Sequence, residues 1–156
     1  ACLAVIALIT GGFLYWTLFT GGSTEIEPRF QVEGLDPGAI TGTLPGAPVR
    51  ESSPGEGTFA YRIDGAPEFS ADGIGYIGLQ NPAFNQYLMV LEIADETGQV
   101  IYRSGYLAPN QYLEEIQLGT PLAPGRHDCT AYINAVDPQT LHYLDALTCP
   151  LAIAVE

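Results

Sequence analysis

The second half of the chain leaves little choice of architecture. From Phe59 onward the apolar residues come in short runs of strand length, each closed by turn chemistry before the next begins. "FAYRID", "GIGYIGL", "QYLMVLEIA", "QVIYRSG" and "QYLEEIQL" are such runs, and "NPAFN", "DETG", "LAPN" and "PLAPG" separate them. Asn, Asp, Pro and Gly in these joints set tight turns, so consecutive runs fold back on one another. The pattern predicts an all-β antiparallel sandwich over residues 59–156. "QYLMVLEIA" is apolar on both faces, as a central strand is.

The stretch "GRHDCTAYINAVDP" places His127, Asp128 and Cys129 side by side, which raises thiol or metal chemistry. Alternation answers otherwise. His127, Cys129, Ala131 and Ile133 share one strand face, and Asp128, Thr130, Tyr132 and Asn134 share the other. Leu147, Cys149, Leu151, Ile153 and Val155 form the apolar face of a last strand. If the two strands make an antiparallel hairpin in which Cys129 faces Cys149, the thiols point the same way and a disulfide is expected. Outside the cytoplasm such a bond persists, leaving Cys2 unpaired.

The first residues have a different character. "CLAVIALITGGFLYWTLFT", Cys2 to Thr20, carries no charge and has Tyr15 and Trp16 toward its outer end, so residues 1–20 are expected to be a single membrane-spanning helix. A signal peptide, a pilin-type helix and a buried core helix compete with this reading. The apolar core is long for a signal peptide, the early glutamate of a pilin is replaced by Val5, and unbroken apolarity disfavours a core helix. Residues 21–58 are punctuated by Gly and Pro and are expected to be an extended linker; "RFQVEG" or "GAITGTL" is an alternative edge strand. The acidic segment after the span, with a lone Arg29, places the C-terminal domain outside the cytoplasm under the positive-inside rule.

Charge narrows the partners. Eighteen Asp and Glu stand against five Arg, a formal net charge of -13, so nucleic acid is excluded as a partner and anionic headgroups do not attract the folded domain. No catalytic set is legible. His127 and Cys129 run parallel on a strand with no third group, and Glu114 and Glu115 point to opposite faces. The His and Cys spacings do not suit a closed zinc site, and "RIDGAPEFSADG" and "IADETG" are ordinary Asp turns without calcium-loop spacing. Neither a cofactor nor a metal is expected. Nine tyrosines remain, of which Tyr102, Tyr106, Tyr112, Tyr132 and Tyr143 are the candidate contact surface.

The segments "L-Q-N-P", "IYRSGYLAPNQ" and "PLAPGRHD" within Ile77–Glu156 are shared features through which the chain resembles a group of small membrane-anchored extracellular proteins of Gram-positive Clostridia. The resemblance implies an immunoglobulin-like sandwich and brings no activity or functional residue with it. The expectation is a non-enzymatic, single-pass surface protein whose domain makes protein contacts in adhesion or assembly; the alternative is a module for a cell-surface glycan.

Overall fold

Alternating burial organises the residues that the structure, a computed structural model, describes: 32–46 and 59–156. The expected helix over residues 1–20 lies outside them. Among the described residues eight strands form: β1 (Ile40–Thr41), β2 (Glu68–Phe69), β3 (Ile74–Asn81), β4 (Leu88–Ala94), β5 (Val100–Arg103), β6 (Gln111–Gln117), β7 (Gly125–Val136) and β8 (Tyr143–Val155). They lie in one mixed sheet of order β1-β6-β3-β2-β8-β7-β4-β5, in which β2 and β8 are the one parallel pair of neighbouring strands. Strands far apart in that order bury side chains together: Leu113 of β6 and Ile101 of β5 belong to the same core as Ile77, Leu91, Ile133 and Ile153. The sheet is therefore curled around one main apolar interior, with a smaller cluster of Val90, Tyr106 and Val136 beside it, and the described residues are all-β.

Turn chemistry fixes the hairpins where the sequence placed them. Asp95 closes β4 onto β5: its Oδ1 accepts from the N–H groups of Thr97 (2.9 Å) and Gln99 (3.0 Å) and from the Thr97 hydroxyl (2.7 Å). Those bonds hold its carboxyl below the usual range, the Thr97 hydroxyl contributing most. In "NPAFN" the two asparagines are interior. Asn85 donates to Asn81 Oδ1 at 2.7 Å, and Asn81 donates to the carbonyls of Tyr87 (3.0 Å) and Leu107 (2.9 Å). Asn85 also clasps Ala60 from both sides, accepting from its N–H at 3.0 Å and donating to its C=O at 2.6 Å. A turn expected only to reverse the chain thus ties four segments together.

Some of the expected linker belongs to the domain. Ile40 and Thr41 pair with Tyr112 and Gln111, Leu35 bridges Tyr106, and Leu44 is buried. Asp36 anchors the approach: Oδ2 accepts from Gly105 N–H at 2.7 Å, Oδ1 from Gly38 N–H at 2.8 Å, and its own N–H donates to Tyr106 C=O at 2.9 Å. Gly105 is required there, because a Cβ would sit 2.6 Å from Asp36 Cα. Pro and Gly in residues 32–46 punctuate a strap packed on the sheet, and β1 lies within "GAITGTL", the alternative edge strand to the expected linker. Residues 47–58 lie outside the described residues.

The β7–β8 register differs from the expected one. Cys129 faces Leu151 and Ala131 faces Cys149, a displacement of two residues. Both cysteines keep the expected face, because a two-residue slip preserves strand alternation. They are diagonal neighbours, about 7–8 Å apart by sheet geometry, whereas direct bridging needs Cα atoms within about 7 Å. The expected Cys129–Cys149 disulfide is corrected accordingly: both are free thiols.

Candidate functional site

The five expected contact tyrosines do not form one open face. Tyr106 and Tyr112 are buried. Tyr102 sits opposite Ile93 and packs against the core; burial, reinforced by the Asp36 carboxylate, drives its hydroxyl pKa well above the ordinary tyrosine value. Tyr132 and Tyr143 are half-buried, opposite Glu92 and Val136 respectively. The physical reason is that tyrosines with an apolar ring and one polar atom suit the semi-buried rows of a curled sheet.

The thiols and acids are likewise occupied by structure. The Cys129 thiol is pushed up to about 11, first by burial and then by the carboxylates of Asp95, Glu96 and Asp128, so it stays protonated at neutral pH and is a poor nucleophile. His127 Nε2 lies 2.7 Å from the Ala123 carbonyl, tying the ring to the preceding turn. Buried Glu92 is neutralised by Arg103, Nε to Oε1 2.8 Å. Asp137 Oδ1 accepts from the N–H groups of Gln139 (2.8 Å) and Thr140 (2.9 Å), which lowers its pKa. Among the described residues no group of three His, Cys, Asp or Glu is arranged to hold a metal ion.

Three exposed leucines lie in and just before the first half of β8, upstream of a residue that interrupts the backbone ladder. The parallel ladder to β2 and the residues before it runs from Phe69 C=O, accepting from Glu156 N–H (3.1 Å), to Pro67 C=O from Ala154 N–H (3.1 Å), to Gly65 C=O from Ala152 N–H (3.0 Å). Each rung recedes two residues along both chains. The next would join Ile63 C=O to the nitrogen of residue 150, which is proline and has no hydrogen. The ladder stops there.

Upstream of Pro150, β8 pairs with β7 alone, and its inward side chains lose their cover on the other flank. Leu147 faces inward opposite Ile133 yet is 40% exposed. Cys149 is partly covered by Tyr61, whose pKa is raised by burial and then by contact with the thiol. Leu144, at the register shift, is 47% exposed. At the tip Leu141 is 38% exposed and holds φ 59°, a left-handed conformation costing a non-glycine residue roughly 1–2 kcal/mol. Asp137 enforces it, its C=O accepting from Leu141 N–H and its N–H donating to His142 C=O, both at 2.9 Å.

Two backbone positions on this edge offer no free donor. Ala146 N–H is taken by the Asp145 carboxylate at 2.8 Å, and Pro150 offers no donor. Proline and charge on an edge strand oppose strand addition. The surface is suited to contact through its leucine side chains. Sequence reasoning missed it because the leucines look like the core of an ordinary strand; Pro150 inside an apolar run is the signal that marks an edge.

Comparison with known proteins adds no relative: no protein-family model, no curated protein and no solved structure matches the chain.

Proposed function

We propose that the chain is a non-enzymatic, single-pass surface protein, anchored through residues 1–20, whose extracytoplasmic domain binds another protein through the open half of β8. The observation that carries the reading is the exposure of three leucines, Leu141, Leu144 and Leu147, within one β-hairpin. Burying one such leucine in a partner is worth roughly 1.5–3 kcal/mol, enough for three to anchor a specific contact. The left-handed Leu141 supports it further, since an exposed apolar side chain held at a conformational cost is a poor choice for folding alone.

The finer fold assignment, an immunoglobulin-like sandwich, belongs to this proposal. Its support is the strand order. With β2 read as a shared first strand, β2-β3-β6 forms one layer and β2-β8-β7-β4-β5 the other, the arrangement of strands A-B-E and A-G-F-C-C′ in such domains. The alternative of a glycan module has less support, because the five tyrosines share no open platform.

The test is crosslinking of the full-length protein in its native membrane, with wild type compared against Leu141→Asn/Leu144→Asn. A reproducible protein adduct mapped to the β7–β8 hairpin and lost in the variant supports the reading. An adduct unaffected by the variant, or recovery of cell-wall glycan alone, overturns it.

A further inference from the structure

Tyr76 is not among the tyrosines that the sequence singles out, yet it is 46% exposed on the outer face of β3. Its ring is folded along the strand onto Gly78, which has φ 54° beside a register shift in the β3–β6 ladder. A Cβ at residue 78 would fall 2.9 Å from Tyr76 Cε1 and 3.0 Å from its hydroxyl oxygen. Glycine therefore makes room for the ring as well as for the backbone. One side of the ring is held against the strand, and the rest is open to solvent.

Two carboxylates flank it. Glu115 of β6 is the direct cross-strand partner of Tyr76. On the other side Phe69 pairs with Gly75 in an antiparallel register, so Glu68 of β2, one step back, lies across from Tyr76. Both glutamates are exposed, and neither belongs to the ion pairs found among the described residues, Arg103–Glu92 and Arg126–Asp128. Opposed side chains in a sheet have Cβ atoms about 4.5–5.5 Å apart, so the two glutamates flank the base of the Tyr76 side chain.

We infer that the row Glu68, Tyr76, Glu115 receives an arginine side chain presented by a basic segment of a partner protein. The inference rests on the protein-contact reading but uses a different surface from the leucine hairpin. A fixed aromatic surface attracts a cation, and a guanidinium can lie flat on it while its N–H groups fork to carboxylates at either edge. A lysine ammonium is a compact point charge that cannot both stack and fork. The net charge of -13 draws a basic segment to the domain, and the ring supplies the selectivity that bulk charge lacks.

The test titrates the full chain in detergent with a hexa-arginine peptide, a hexa-lysine peptide and a glucosamine oligosaccharide. The arginine peptide is expected to bind most tightly. Tyr76→Ala, which leaves the charge unchanged, should weaken it roughly tenfold, while Tyr76→Phe retains binding. Glu68→Gln/Glu115→Gln should weaken it and flatten its salt dependence. Leu141→Asn/Leu144→Asn should leave it unchanged, which separates failure of this site from failure of the hairpin reading. Equal binding by wild type and Tyr76→Ala overturns the inference, as does equal, Tyr76-dependent affinity for the lysine peptide. Tyr76-dependent binding of the oligosaccharide without binding of the arginine peptide overturns it in favour of a sugar.

Discussion

The two halves of β8 make the most instructive contrast in the molecule. From Leu151 to Val155 the strand has neighbours on both sides, and Leu151, Ile153 and Val155 are buried. From Tyr143 to Pro150 it has β7 alone, and Leu144 and Leu147 stand open. Both halves carry apolar side chains, but only the second has alternating burial. The boundary between them falls where the parallel ladder meets a residue with no N–H, so exposure along this strand follows the backbone ladder as well as the side chains it carries.

The contrast breaks first if the closed half proves unimportant. Ile153→Ala removes a fully buried side chain and should cost about 2–5 kcal/mol in a denaturant titration, against less than about 1 kcal/mol for Leu144→Ala. Similar losses at the two sites would erase the distinction. Next in size is the asparagine junction that holds Ala60, at the head of the segment facing the open half. Asn81→Ala strands the Tyr87 and Leu107 carbonyls and the Asn85 amide, and should cost about 2–3 kcal/mol by thermal unfolding.

Pro150→Ala sharpens the contrast directly. It restores the absent donor, gaining about 0.5–1.5 kcal/mol for a hydrogen bond and losing about 0.4–1 kcal/mol of proline rigidity. The net stability change should be within about 1 kcal/mol, but the amide of residue 150 should become protected from hydrogen exchange as Ile63 C=O accepts it. An unprotected amide would show that something other than the proline keeps the seam open.

The smallest effect concerns the hairpin turns. Asp95 and Asp137 have folded pKa values below their unfolded ones, so the stability they add is present above an unfolded pKa of about 3.9 and is lost as pH falls through the folded values. Asp137→Asn should therefore flatten the acid limb of a stability-versus-pH curve slightly. An unchanged limb would mean that the turn holding Leu141 does not depend on that charge.

Much of the fold was legible in the chain. The runs "GIGYIGL", "QYLMVLEIA" and "QYLEEIQL" correspond to β3, β4 and β6, because Pro, Asn and Asp bracket them unambiguously. The β7–β8 register was not legible: moving Cys129 from Cys149 to Leu151 leaves every side chain on its own face, so alternation carries no information about it. The exposure of individual tyrosines was the least legible. Tyr106 and Tyr112 have the same local pattern as exposed tyrosines and are buried by segments distant in sequence. Tyr76, inside an apolar run, gives no hint of its exposure until Gly78 is seen beneath its ring.

The parallel rungs between residues 65–69 and β8 also have a mechanical consequence. Tension that draws the chain before β2 one way and the end of β8 the other slides two parallel strands past each other. The acceptors at Gly65, Pro67 and Phe69 are then strained together in shear, where an antiparallel hairpin pulled from its open end would lose its bonds singly, in succession. Pro150 limits how many bonds share that load, so the residue at which the edge opens also bounds the length of the sheared ladder.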